Sequence, residues 1–303
     1  MHLKSALCYL VFMSAISAQT TVTVSTPVEL LNAIGPNKTI YLNAGDYDLS
    51  SATGAGSSYV TWEDEYDGSQ IHISGVSNMK IIGKGNARVL VTPQYTWVMK
   101  FSRCQNITLD NYTMGHVAGS NCIGGVVYMD SCKNMQVLNC RMFGSGTYGM
   151  MIERTENVTV EKCDIYKCTY GLLQLYESKQ IYFIKTRFRE TGEFDLVTIN
   201  RCNDIHFKTC VFEKNFTGGD YSTYYFFNID NAYDGYMGSY NVTINTSVFR
   251  DNNAYYFSYD PYSVLKIGDN RFERNYFTPP TPTTHPIVSI YMVHADSSNY
   301  YRY

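Results

Sequence analysis

Residues 157–215, NVTVEKCDIYKCTYGLLQLYESKQIYFIKTRFRETGEFDLVTINRCNDIHFKTCVFEKN, state one pattern three times. Asn157-Val-Thr-Val, Gln180-Ile-Tyr-Phe and Asp204-Ile-His-Phe each open a short apolar alternation. A second pair follows each: Cys163 with Ile165, Thr186 with Phe188, and Cys210 with Phe212. Alternation with period two defines strands, because successive side chains of a strand point to opposite faces. Apolar spacing of the helical kind is absent throughout, which excludes the helical repeats.

The same anchor recurs outward from this stretch, at Asn78, Asn106, Asn134, Asn241 and Val264. The steps are 23 to 28 residues, with one of 37. A fixed period of this size indicates a solenoid. A third strand precedes the anchors, at 125–129, 148–152, 171–175, 195–199 and 225–229. Three short strands per coil predict an all-β fold, a single-stranded right-handed parallel β-helix. Each strand then pairs with its equivalent one coil away, at about 4.8 Å, and the rest of the coil serves as the crossover.

Solenoid ends expose unpaired strands and must be covered. Thr26-Pro27-Val28-Glu29 is a capping box with proline at the first helical position, so a helix over 26–35 is predicted to plug the N-terminal end. Four of the eight prolines fall between Pro279 and Pro286. They mark 279–303 as a C-terminal cap or tail, with 287–293 folding back as a last strand.

Residues 1–18 read as a secretory signal: Lys4, an apolar run over 6–16, and the small pair Ser17-Ala18 before Gln19. That run is too short to span a membrane and no later one is long enough. The expectation is an exported, soluble β-helix domain over 19–303 acting as a monomer. Export permits disulfides, and eight cysteines follow Cys8. Their register points elsewhere. Cys104, Cys132 and Cys202 share one repeat position and Cys140, Cys163 and Cys210 another, which predicts rows of buried thiols. No zinc spacing is present.

The stretch Thr26 to Tyr47 (TPVELLNAIGPNKTIYLNAGDY), followed by these coils, resembles the right-handed parallel β-helix repeat proteins of the pectate-lyase-like superfamily, and most of all their secreted members. The resemblance covers nearly all of the chain after residue 18 and implies the fold. For function it implies only a range of lyases, hydrolases, epimerases, esterases and non-enzymatic adhesins. The residue set of polygalacturonases has no match, since Gly115-His116-Val117 departs at its last position.

Strand register sorts the rows of the first strand. Val127, Met150, Leu173 and Val197 face inward with Met129, Ile152, Leu175 and Ile199. One outward row holds Asp130, Glu153, Tyr176, Asn200, Asp230 and Asp260. The other holds Tyr128, Met151, Gln174, Thr198, Asn228 and Ser258, and the coil before contributes Lys100 and Ser102 to the face. The following turn supplies Arg154, Glu177 and Arg201. Asp130 and Glu153 fall one rung apart with like charge, which is unfavourable across a strand pair. Such a pair raises one pKa, recruits a cation such as Ca²⁺, or is neutralised by Lys100 and Arg154. Carboxyls about 5 Å apart also match the spacing of a retaining glycosidase. The bland alternative is a solvated salt-bridge ladder worth little.

Loops entering this strand, at 114–125, 189–195 and 214–225, would wall the groove, and His116 in the first could serve as acid or base. The Tyr-rich 37-residue coil would offer stacking platforms, and WEDEYDG (62–68) reads as a solvated acidic loop or a calcium site. A net charge of −3 argues against a nucleic-acid binder, and 28 Tyr against 2 Trp suit strands and a sugar-facing surface. Two functions compete. One is binding or processing of polysaccharide by a lyase or glycoside hydrolase: catalytic Asp130, Glu153, Arg154, Lys100 and His116, with Tyr128, Gln174, Tyr176, Asn200, Arg201, Asn228 and Asp230 holding substrate. The other is a non-catalytic adhesin or surface spacer. Seven Asn-x-Ser/Thr sequons occur, but Asn106, Asn157 and Asn241 are anchors that the repeat already explains.

Overall fold

The alternation closes into three long sheets. A computed structural model describes residues 19–117, 124–144, 146–218, 224–230, 238–277, 287–288, 294–295 and 300–302. The anchor sheet has eleven strands, running from Thr20–Val24 through Glu156–Glu161 and Lys179–Ile184 to His294–Ala295. A ten-stranded groove sheet runs from Val60–Glu65 through Val127–Asp130 and Tyr148–Glu153 to Ile287–Val288. A third sheet, also of ten strands, runs from Gly45–Asp48 to Tyr300–Arg302. A fourth, of two-residue strands, begins at Gly192–Glu193. The coils stack in parallel, and Val158, Ile181, Ile205, Val242 and Leu265 lie one above the next as the repeat predicts. Among the described strands only the ends of the groove sheet reverse: Val60–Glu65 pairs antiparallel with Gly68–Ser74, and Ile287–Val288 with Ser258 and Tyr259.

The anchors have a backbone reason. Asn78, Asn106, Asn134, Asn157, Gln180, Asp204 and Asn241 all adopt φ between +54° and +59°. Asparagine tolerates this left-handed region better than most residues. Their side chains also stack: Asn106 Nδ2 donates to Asn78 Oδ1 at 2.8 Å, Asn134 to Asn106 at 2.7 Å and Asn157 to Asn134 at 2.8 Å. Asn241 repeats the bond to Asp204. A glycan on Asn106 or Asn157 would take the nitrogen this ladder uses.

Inside the turns a second device recurs. The backbone N–H of Cys132 donates to Thr155 Oγ1, that of Thr155 to Ser178 Oγ, that of Ser178 to Cys202 Sγ and that of Cys202 to Ser239 Oγ. Thr191, Asn215, Asn252 and Asn275 do the same at another corner through their side-chain oxygens. Buried turn amides are thereby satisfied where no strand partner exists.

Between the sheets the core is apolar, with a column of phenylalanines at its centre. Phe188, Phe212, Phe249 and Phe272 stack with centroids 4.7 to 4.8 Å apart and planes within 10°. The helix Pro27–Ala33 caps one end, burying Leu30, Leu31 and Ala33. Glu29 N–H donates to Thr26 Oγ1 at 3.2 Å, the first bond of a capping box, while the Glu29 carboxylate reaches one residue past the N-cap and accepts from Ser25 N–H at 2.7 Å. It ends two residues before the predicted 35, ahead of Gly35-Pro36. The signal-like segment 1–18 and the prolines at 279–286 lie outside the described residues. Among those described, no helix is long and apolar enough to cross a membrane.

The seven described cysteines after residue 18 are buried, and no disulfide joins any two of them. Burial pushes the thiols of Cys140, Cys202 and Cys210 up to about 12. Thiol titration is expected to find few reactive groups in the native protein and nearly all in denaturant. Three or more disulfides by intact mass would contradict it.

Candidate functional site on the groove sheet

The outward rows form as register predicts over most of the sheet. Lys100, Tyr128, Met151, Gln174, Thr198 and Asn228 make one row; Ser102, Asp130, Glu153, Tyr176, Asn200 and Asp230 make the other. The prediction fails one coil later. Tyr259, not Ser258, pairs with Asn228, while Ser258 is fully buried opposite Phe227. Asp260 is buried too, and accepts from the N–H groups of Val264 and Leu265 at 2.9 and 2.7 Å, which makes it a turn cap. Tyr259 stands one residue nearer to Val264 than Thr198 does to Asp204, so the turn between them is a residue shorter, and such a slip exchanges the faces of a strand.

Asp130 and Glu153 meet one rung apart, as expected. Arg154, from the turn after Glu153, neutralises the pair. Its Nη2 donates to Asp130 Oδ1 at 2.6 Å and to Glu153 Oε2 at 3.3 Å, and its Nε reaches Asp130 Oδ1 at 3.0 Å. Ser131 Oγ donates to Asp130 Oδ1 at 2.9 Å and Tyr128 OH to Glu153 Oε2 at 2.7 Å. Burial and the neighbouring Glu153 push the Tyr128 phenol well above its ordinary value, so it stays a neutral donor. On the next coils Arg201 donates to Tyr176 OH and Glu177, both at 3.0 Å.

Lys100 and His116 do not join the carboxylates. Lys100 Nζ lies 2.7 Å from Glu63 Oε2 instead. Glu63 belongs to the segment read as an acidic loop or calcium site, which is a strand of the antiparallel hairpin 60–74. Trp62 Nε1 ties the hairpin to Ala55 O at 2.8 Å, and Asp67 accepts from Gln94 and Tyr95 N–H at 2.6 and 3.1 Å. His116 is no groove-wall loop residue: it ends the strand Thr113–His116 of the third sheet, buried, with Nε2 donating to Thr96 O at 2.9 Å. Burial lowers its pKa, so the imidazole is neutral. The predicted loops at 189–195 and 214–225 in part form strands of the fourth sheet, Gly192–Glu193 and Phe216–Thr217.

Residues missed in the sequence complete the face. Glu63 Oε1 lies 2.8 Å from His72 Nδ1, and Oε2 accepts from Gln70 Nε2 at 3.0 Å. His72 Nε2 in turn lies 2.6 Å from Ser102 Oγ. Burial alone would raise the Glu63 carboxyl, but Lys100, Gln70 and His72 outweigh it and hold it below the usual range. Toward the other end, Asp195 accepts from Tyr225 N–H at 2.7 Å and Asn228 Nδ2 at 2.6 Å, and burial leaves its carboxyl raised. Tyr170, Phe194 and Tyr224 pack edge to face along the entry side, 4.6 and 4.9 Å between centroids. These aromatics were unreadable as a row because they precede the strands, where loop lengths vary.

Calcium does not fit the donors at Asp130 and Glu153. They supply two carboxylates, both engaged by Arg154, where the ion takes six to eight oxygen ligands. Among the described residues no group of three or more His, Cys, Asp or Glu is placed to hold a metal.

Fold and site together define a right-handed parallel β-helix protein with a charged, aromatic-edged outer face on one sheet. The chain belongs to the family described as Right handed beta helix region, whose model matches residues 69–232. It is 29% identical over 107 residues to the capsule K1-specific depolymerase of Klebsiella phage K64-1, covering 32% of this chain and 12% of that one. The chain thus spans only a small part of that relative. Among solved structures it is similar to pectate lyase Pel9A, with a TM-score of 0.59 and 13% identity over 94% of this chain and 80% of that one. It is also similar to PfbA, a surface adhesin of Streptococcus pneumoniae, with a TM-score of 0.54 and 14% identity over 88% and 70%. These likenesses show the fold; a lyase and an adhesin share it.

Proposed function

We propose that this is an exported β-helix protein that binds or processes polysaccharide along the outer face of the groove sheet. The observation that carries the reading is the Asp130–Glu153 pair facing outward on adjacent rungs, bridged by an Arg154 that keeps 45% of its side chain exposed. Carboxylates about 5 Å apart suit a retaining hydrolase, with one as acid and the other as nucleophile. In a lyase, Arg154 would neutralise the sugar carboxylate. Tyr128, Gln174, Tyr176, Asn200, Arg201, Asn228 and Asp230 extend the face over neighbouring coils, and the aromatics at its edge suit stacking on sugar rings. The depolymerase and the pectate lyase named above support a polysaccharide ligand. Export follows from residues 1–18, and a monomer is the simplest state.

The adhesin reading draws on a specific observation too: Asp130 and Glu153 already have partners, as a purely structural ladder would. The test is Asp130→Asn with Glu153→Gln, measured for binding and turnover on a panel of acidic and neutral polysaccharides. Binding is expected to weaken at least tenfold. Because Arg154 already offsets the repulsion and half-exposed ion pairs are worth about 0–1 kcal/mol each, unfolding free energy should move by no more than about 1 kcal/mol. Unchanged binding would remove the groove assignment.

A further inference from the structure

Glu63, His72 and Ser102 come from three different strands, Val60–Glu65, Gly68–Ser74 and Met99–Ser102, and meet in a line. The His72 imidazole lies 2.8 Å from the carboxylate on its Nδ1 side and 2.6 Å from the Ser102 hydroxyl on its Nε2 side. An ionised carboxylate only accepts, so Nδ1 carries the proton. In the neutral ring Nε2 is then left with its lone pair, and the Ser102 hydroxyl donates to it. That is the order acid, imidazole, hydroxyl that activates a serine in acyl transfer, a constellation recognised by geometry on unrelated folds.

The line is held from outside as well. The second Glu63 oxygen takes Lys100 Nζ and Gln70 Nε2, and Gln70 Oε1 accepts from Trp97 N–H at 2.7 Å. The exposed side is the groove: Ser102 shares a row with Asp130, and His72 one with Lys100 and Tyr128. Ser102 is only 6% exposed, so a flat, short acyl group reaches it more readily than a bulky one.

We propose that Ser102, His72 and Glu63 form a serine-type centre that hydrolyses short-chain carboxylic esters of the kind carried on sugar hydroxyls. The sugar half rests on the polysaccharide reading above, and the ester half does not. Ser102 Oγ bonds to the ester carbonyl carbon while its proton passes to His72 Nε2. The carbon–alkoxy bond then breaks, and the departing oxygen takes that proton to leave as an alcohol. Water attacks the acyl-serine and gives a proton to His72. The carbon–Oγ bond breaks, Oγ recovers the proton, and a carboxylic acid leaves. Glu63 exchanges no proton; it is a positioning residue that holds the tautomer and stabilises the imidazolium. Arg103, exposed at the turn directly after Ser102, would supply a positive charge for the oxyanion.

The test is hydrolysis of p-nitrophenyl acetate by the purified chain, together with labelling by a fluorophosphonate located by mass spectrometry. The label is expected on Ser102. Ser102→Ala and His72→Gln should lower kcat/KM at least a hundredfold, and Glu63→Gln should lower kcat with little change in KM while altering the pH–rate profile. Equal hydrolysis by Ser102→Ala, or a label that spares Ser102 in the folded wild type, would overturn the proposal. The wild-type labelling stands even where a variant fails to fold. Acetate release from O-acetylated polysaccharides is the separate arm. Activity on the small ester without that release would uphold the centre and count against the sugar as its substrate.

Discussion

Phe212→Ala is expected to destabilise the protein by about 3–5 kcal/mol, the range for truncating a large aromatic in a packed core. Phe212 is fully buried and sits inside the phenylalanine column, 4.8 Å from Phe188 and 4.7 Å from Phe249. Its edges meet Phe226 and Phe227, each at 5.7 Å. In a solenoid each coil contacts only its neighbours, so an interior deletion weakens two interfaces at once. Backbone ladders on both sides also prevent the coils from closing over the cavity. Urea midpoints with unchanged slope measure the cost, and a value below about 1 kcal/mol would show that the column does not hold the coils together.

Parallel stacking is what made so much readable. A residue whose backbone must adopt left-handed φ recurs above itself, so the asparagine anchors print the register directly, and the Asp130–Glu153 rung follows from counting. Counting breaks wherever the chain leaves the coil. The hairpin at 60–74 pairs antiparallel and obeys no repeat, so Glu63 and His72 carried no positional signal although Ser102 did. A turn one residue shorter between Tyr259 and Val264 carries the offset that turns Ser258 inward and brings Tyr259 out. His116 was misread for a different reason: its stretch looked polar and Gly-rich, but its strand pairs with Arg88–Val91 below and buries the ring. Arg154 and Lys100 were both read as neutralising that pair; that Arg154 does so while Lys100 turns to Glu63 depended on side-chain reach, which register does not encode.

Glu213 on the third sheet gives a prediction with its own internal control. Its side chain is 5% exposed and bridges Arg187 and Arg250, whose own side chains stay 47% and 37% exposed. Burial raises the carboxyl, but the hydrogen bonds from Arg250 and Arg187 outweigh it and leave it below its ordinary value of 4.5. A folded-state pKa below the unfolded one adds stability that is complete above the unfolded value and fades as pH falls through the folded one. Breaking a fully buried pair costs about 3–5 kcal/mol, and the half-exposed arginines reduce that here to about 1–3 kcal/mol for Glu213→Gln at pH 7. Glutamine has the shape of a protonated glutamate. The wild type should therefore approach the variant as its own carboxyl takes up a proton below pH 4.5. Other carboxylates titrate alike in both proteins and cancel in the difference. Urea midpoints of the two across the acid range should converge, and a gap that stays constant from neutral into acid would mean that shape, not the charge on Glu213, holds this corner.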